Sequence, residues 1–330
     1  MEREASAAGQ SCLLFGGKVS ANAGVLFFVL VIAASWEEWW TYSGISGPEF
    51  WGVLNPEWHL CSRGRSQSPI NLYPELLLFS PHLKPFRLES VKTSATMINT
   101  GHDILLQLSE SASVNLTGGP LQYSYVISQI RIHHGDDSSQ GSEHSIGRRF
   151  FPAEIQLLGF NSDLHRNFTE AMNARSSEGL VGLSVMLRIG NVSHPEFKAI
   201  SSQLSKVVYR DQRASIERID VSRLFPNTKE YMTYSGSLTQ PSCNEGVRWI
   251  VINKALHISR LQISSLRKLM QGDILNPKAS LSNNFRPLQP LNNRVVYTNI
   301  DFRHQNEERC PSMQRNMHYK TSPLHPNTMY

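Results

Sequence analysis

The stretch Gln129–His144, QIRIHHGDDSSQGSEH, decides how this chain is read. Its opening residues alternate polar and apolar side chains, the period of a strand with one buried face. Ile130 and Ile132 then share one side of that strand, and Gln129, Arg131 and His133 the other. A second run, AEIQLLGF (Ala153–Phe160), puts Glu154, Gln156 and Leu158 on one face by the same rule. If the two strands are neighbours, Arg131, His133 and Gln156 converge on one spot, with Gln129 and Glu154 behind them. Two close histidines and an acid suggest a metal site, yet an arginine, permanently charged, stands where a third ligand is expected.

Working outward, short apolar runs alternate with turn residues from about residue 67 to 296, among them DILLQL (Asp103–Leu108), GLVGLSVMLRIG (Gly179–Gly190) and VRWIVIN (Val247–Asn253). Their length and β-branched content predict strands, so the fold class is mainly β with short surface helices. The clearest helix is SRLQISSLRKLMQG (Ser259–Gly272). Ser259 caps it, Ile263, Leu266, Leu269 and Met270 form its apolar stripe, and Gly272 ends it. Upstream, WEEWWTYSGISGPEFWGVLNPEWHLC (Trp36–Cys61) is too rich in large aromatics to stay in water, and is expected to be an arm docked on the core.

The bulk composition bounds the function. The 330 residues are 40% hydrophobic and 18% charged, which excludes general disorder, and a net charge of +5 gives only mild attraction to acidic partners. No Lys/Arg-rich run or basic aromatic repeat points to nucleic acid. Near the N-terminus GVLFFVLVIAAS (Gly24–Ser35) follows Lys18 and is short for a bilayer span. It reads as a secretory signal, residues 1–35, cleaved after small residues; the alternative is an uncleaved anchor. Residues 36–300 form the expected domain, without a further membrane span, and residues 301–330 a flexible polar tail. Three sequons, at Asn115, Asn167 and Asn191, fit an exported glycoprotein. After loss of Cys12 with the signal, Cys61, Cys243 and Cys310 remain in an oxidising compartment, so one is left over.

Four separated motifs carry a family resemblance: SQSPINL (Ser66–Leu72), SQGSEH (Ser139–His144), YSGSLTQP (Tyr234–Pro241) and NFRPLQPLNNR (Asn284–Arg294). In order and approximate spacing they resemble the α-type carbonic anhydrases, from about Trp40 to Val296. The resemblance implies a single domain around a large, twisted, mostly antiparallel sheet, and a disulfide between Cys61 and Cys243. Active members hold zinc with three histidines, and the metal lowers the pKa of its bound water to about 7. Those three positions fall on Arg131, His133 and Gln156, so only one histidine remains.

Unit charges about 4 Å apart cost on the order of 4 kcal/mol at an effective dielectric of 20, hence roughly 8 for a divalent ion beside a guanidinium. Two ligand bonds are missing as well, against about 10–16 kcal/mol of apparent zinc binding in a complete structural site. Zinc is therefore expected to be lost and carbon dioxide hydration with it. His134 offers no replacement, because on a strand it points to the opposite face from His133. Vestiges of the machinery remain by the same resemblance. Thr239 and Glu143 match the pair that orients the metal-bound hydroxide, Gln129 and Glu154 match the outer partners that steer ligand histidines, and His102 falls at the proton-shuttle position. Leu238 and Trp249 match the apolar pocket wall. A buried Thr239–Glu143 hydrogen bond is one expectation, and Glu154 or Glu143 is the expected counter-charge for Arg131.

The Arg, His, Gln combination, the segment Phe50–Gly52 and the Cys-Pro tail at Cys310 resemble one subgroup, the secreted carbonic-anhydrase-related proteins of types X and XI. That resemblance implies a non-catalytic extracellular binding partner of neuronal cell-surface receptors such as neurexins. His102 and the divergent ends of the chain point to an invertebrate member. Cys310 is a candidate intermolecular thiol, for a disulfide-linked partner or dimer, with a free or capped cysteine as the alternative. The competing function is residual zinc-dependent carbonic anhydrase or esterase activity with a non-standard ligand set.

Overall fold

A computed structural model describes residues 39–89, 92–111 and 113–301. The expected signal at 1–35, Cys12, Cys310 and the tail beyond Asp301 lie outside the described residues. The chain is built on one 13-stranded sheet. Its main path runs Arg213–Asp220, Lys92–Asn99, Ile104–Leu108, Tyr125–His134, Ala153–Asn161, Leu180–Gly190, Glu245–Ile252, Tyr231–Ser237, Tyr297–Thr298 and Leu78–Phe79. Most neighbours are antiparallel; Leu180–Gly190 runs parallel to both Glu245–Ile252 and Leu256–Ser259, and Tyr297–Thr298 runs parallel to Leu78–Phe79. The α-helices are short, with none longer than seven residues among those described. No helix of the described residues is long and apolar enough to cross a membrane.

Strand alternation sorts the core into two layers. On one face Met97, Leu106, Ile130, Ile132, Ile155 and Leu157 pack beneath the helices Pro195–Ser201 and Arg260–Leu266 through Phe197, Ile200, Ile263 and Leu266. On the other, Leu158, Phe160, Met186, Leu238 and Trp249 form a second cluster beside the polar residues of Gln129–His133. Reversing the alternation in any central strand would put its β-branched residues into the polar layer, so burial fixes the register.

The helix expected over Ser259–Gly272 stops at Leu266. Its start is as anticipated, a capping box in which the Ser259 hydroxyl accepts from the Gln262 amide and the Gln262 side chain accepts from the Ser259 amide. Its end is set by tertiary bonds instead of helical ones. Arg267 donates to the carbonyl of Gly135, and the Met270 amide donates to the carbonyl of Val208 at 2.8 Å. Leu269 is buried as expected, but from a turn past the helix, its amide donating to the Leu266 carbonyl at 3.2 Å.

The aromatic arm docks as anticipated. Trp40, Trp51 and Trp58 are buried around the Cys61–Cys243 disulfide, which joins positions 182 residues apart. Trp51 donates to the carbonyls of Thr41 and Ser46 and lies 5.6 Å beneath the Arg286 guanidinium. A tryptophan buried to this degree removes about 200 Å² from water, on the order of 5 kcal/mol of transfer free energy. The disulfide therefore fastens an arm that already has its own apolar contact. Replacing both cysteines by serine should lower unfolding free energy by about 2–5 kcal/mol, read by guanidinium titration of the oxidised chain and the Cys61→Ser/Cys243→Ser variant.

Candidate functional site

The site floor is made by two antiparallel strands, Tyr125–His134 and Ala153–Asn161, in which Arg131 lies opposite Gln156 and His133 opposite Glu154. All of these side chains, with Gln129, stand on the face away from Ile130 and Ile132. The convergence anticipated from the alternation is thus present.

Arg131 is held by a turn that joins Lys92–Asn99 to Ile104–Leu108. Gly101 has φ +83° there, and a Cβ at that position would come within 2.9 Å of the Gln271 carbonyl, so the turn needs glycine. It delivers Asp103, fully buried, whose Oδ2 lies 2.6 Å from Arg131 Nη1. The same Oδ2 accepts from Gln240 Nε2 at 2.8 Å, and Arg131 Nη1 also donates to Gln240 Oε1 at 2.6 Å. The Thr100 hydroxyl donates to Asp103 Oδ1 at 2.7 Å. Burial pushes the Asp103 carboxyl up, but the Arg131 guanidinium and the Thr100 hydroxyl outweigh it and hold it at about 2. The counter-charge of Arg131 is therefore Asp103, and neither Glu154 nor Glu143 as the sequence reading expected. Those two carboxylates are consumed by closer donors.

Glu154, also fully buried, accepts from the backbone amides of Glu143 and His144 at 2.9 Å each, from Ser184 Oγ at 2.7 Å and from Gln156 Nε2 at 3.1 Å. His144 Nδ1 lies 2.8 Å from its Oε1, and His144 Nε2 lies 2.6 Å from the Tyr234 hydroxyl. Burial raises this carboxyl as well, and the neighbouring His144 with the hydrogen bonds holds it at about 2. Glu143 accepts from Gln156 Nε2 at 2.7 Å and from the Arg286 amide at 2.9 Å. Thr239 Oγ1 lies 3.5 Å from Gln156 Oε1. The expected direct Thr239–Glu143 bond is replaced by the Gln156 amide standing between them.

His133 has its Nδ1 2.6 Å from the Asn284 carbonyl, which makes that nitrogen a donor. Its Nε2 is buried without a hydrogen-bond partner, 3.6 Å from Glu143 Oε2 and too far for a bond. At these three positions the floor offers one imidazole lone pair, on His133 Nε2, and the amide oxygen of Gln156, 3.5 Å from Thr239 Oγ1. A guanidinium has none, and the Gln156 amide nitrogen has none to give. Among the described residues no group of three or more His, Cys, Asp or Glu is arranged to hold a metal ion. The residues present do not fit a three-imidazole zinc site.

The other residues singled out by the resemblance are engaged as follows. His102 stacks on Trp40, ring centroids 3.9 Å apart, and burial lowers its pKa to about 4. A ring pinned beneath the arm and neutral at pH 7 is poorly suited to carry protons out. Gln129 Oε1 lies 3.4 Å from Arg131 Nη2. Trp249 and Leu238 are buried beside the floor, and Trp249 meets His144 edge-on at 4.8 Å. His134 lies on the opposite face, fully buried, with its amide bonded to Asn284 Oδ1. Sequence reasoning missed Asp103, Gln240, Tyr42, His144 and Tyr234. An arginine on the inward face of a strand demands a carboxylate, so Asp103 was findable in kind. Its adjacency to His102 was the only further signal.

With this geometry established, the comparisons are specific. The sequence profile described as eukaryotic-type carbonic anhydrase matches residues 46–300. A relative from Caenorhabditis elegans named "Putative carbonic anhydrase-like protein 2" is 36% identical over 293 residues, covering 86% of each chain.

Breaking the floor ion pair should be costly. Arg131→Met leaves Asp103 buried without a cation and should lower stability at pH 7 by about 3–5 kcal/mol. Because the folded-state pKa of Asp103 is depressed, its contribution is present above about pH 4 and lost as pH falls towards 2. The gap between the two proteins should therefore narrow across that window in denaturant titrations. Trp40→Ala should raise the pKa of His102 from about 4 towards its ordinary value, seen as an imidazole resonance titrating near pH 6 in NMR.

Proposed function

The chain belongs to the eukaryotic-type carbonic anhydrase family, and from that premise we propose that it is a secreted, catalytically inactive member whose rigid fold serves as an extracellular binding platform. The observation that carries this reading is the Arg131–Asp103–Gln240 cluster. Two of the three positions where the family would hold zinc are occupied by side chains that satisfy the protein's own buried polar groups. A zinc ion would meet a guanidinium it repels and an amide already bonded to Glu143 and Glu154. The chain's own residues perform a structural task at the floor: Arg131 neutralises Asp103, Gln156 links Glu143 to Glu154, and His133 anchors the segment at Asn284.

The apolar run before Ser35, the sequons and the Cys61–Cys243 cross-link support an oxidising, extracellular destination. The partner class implied by the resemblance is a neuronal cell-surface receptor such as a neurexin, with Cys310 available for a mixed disulfide or a dimer. The alternative is a residual zinc-dependent hydratase or esterase. It is favoured by one observation, the His133 Nε2 without a hydrogen-bond partner, 3.6 Å from Glu143 Oε2.

Protein secreted from animal cells should contain zinc well below one per chain by elemental mass spectrometry and show no carbon dioxide hydration. Stoichiometric zinc would replace the platform reading with the alternative. Arg131→His with Gln156→His, combined with Asp103→Asn so that no carboxylate loses its cation, should bind close to one zinc per chain and gain hydratase activity. A folded triple variant that stays metal-free would mean that the pocket itself, beyond its ligands, is unsuited to zinc.

A further inference from the structure

A groove of about 970 Å³ borders the site face, with apolar walls from Phe160, Leu164 and Phe168 and polar ones from Gln107, Ser109 and Asp163. It reaches Gln129, whose amide lies 3.4 Å from Arg131. Two residues of one sequon, Asn167 and Thr169, line it. Asn167 caps the helix Phe168–Ala174: its Oδ1 accepts from the Glu170 amide at 2.8 Å. That bond orients the side chain through its oxygen and leaves Nδ2, the atom that bonds a sugar, outside the cap. The cap and a glycan are therefore compatible. The other two sequons differ. Asn191 is exposed immediately after the strand Leu180–Gly190, beside Val192, itself 77% exposed. Asn115 lies within the strand Val114–Gly118, paired on both edges, half-buried, and its Nδ2 donates to Glu89 Oε2 at 2.9 Å.

Resting on the secretion reading above, we propose that Asn167 and Asn191 carry N-linked glycans, that Asn115 does not, and that the Asn167 glycan lies along this groove. In the transfer Nδ2 loses one proton and bonds to C1 of an oligosaccharide. The bond from C1 to the diphosphate of a lipid carrier breaks, and the diphosphate leaves with the electron pair. Transfer precedes folding, so the chains that fold and leave the cell are those whose glycans sit where the fold has room: an exposed turn or a helix cap has it, whereas the half-buried Asn115, its Nδ2 turned onto Glu89, does not. Sugars present both hydroxyls and apolar C–H faces, which matches walls of Phe160 and Phe168 opposite Gln107 and Asp163. A glycan there closes the approach to Gln129 and Arg131 from this side, and removes that face from the surface open to a protein partner.

The test uses the full chain recovered from the medium of animal cells. Glycopeptides are released by peptide-N-glycosidase in ¹⁸O-water and occupancy is read by mass spectrometry at each asparagine. Asn167 and Asn191 should be occupied and Asn115 bare. Asn191→Gln and Thr169→Ala, the latter keeping the Asn167 cap, should each lose one glycan on a gel, and Asn115→Gln none. The glycan at Asn167, packed against protein and shielded from processing enzymes, should stay sensitive to endoglycosidase H while that at Asn191 becomes resistant. Occupancy at Asn115, or a bare Asn167 or Asn191 in secreted chain, overturns the assignment and leaves secretion standing. Equal processing at both positions overturns the groove packing. A chain kept in the cytosol without glycans overturns the secretion reading and this inference together.

Discussion

A guanidinium cannot shed its charge inside a protein, and Arg131 therefore obliges everything around it to be arranged for its benefit. Asp103 supplies the charge, Gln240 takes the second hydrogen bond, and Gln129 lies against the far edge of the fork. Asp103 in turn requires the Gly101 turn and the Thr100 hydroxyl. Gln240 passes the network to the Tyr42 hydroxyl in the aromatic arm at 3.0 Å. One partly enclosed cation, its side chain 20% exposed, thus links the centre of the sheet to the segment that covers it.

Another arginine, this one buried, repeats the logic at the other end of the arm. Arg286 is 2% exposed, and burial lowers its pKa to about 10. It donates to the carbonyls of Cys61 and Ser68 and to Gln67 Oε1, while its plane covers Trp51. The motif around Ser66–Leu72, the motif around Asn284–Arg294 and the disulfide meet at this one side chain. The two terminal nitrogens of Arg286 are satisfied and its buried Nε is not, and such buried networks add little net stability beyond a well-packed apolar core.

Alternation in two strands was enough to place Arg131, His133 and Gln156 together, because a period of two leaves no freedom once one face is apolar. The aromatic arm was equally legible in its main part: Trp40, Trp51 and Trp58 go inward, while Trp39 stays 59% exposed. What escaped the sequence was partner choice. Asp103 is 28 residues from Arg131 and Gln240 is 109, and nothing local distinguishes them from the glutamates that lay nearer in the chain. Those glutamates were already saturated by amides and by His144, a fact that only the fold reveals. The overlong helix failed for the same reason. An apolar stripe through Leu269 and Met270 says that they face inward, not that the backbone stays helical as far as them when the Val208 carbonyl takes the Met270 amide.

The two-faced strand at the centre also bears on how such a protein can change. Ile130, Ile132, Ile155 and Leu157 carry the core, while Gln129, Arg131, His133, Glu154 and Gln156 stand between them on the other side. Folding and chemistry are thus assigned to alternate letters of the same short words. A lineage can exchange the chemical letters one at a time without disturbing the structural ones, provided each buried charge finds an opposite. Loss of a metal centre in such a scaffold is a short mutational path, and the inherited architecture remains free to be selected for its outer surface.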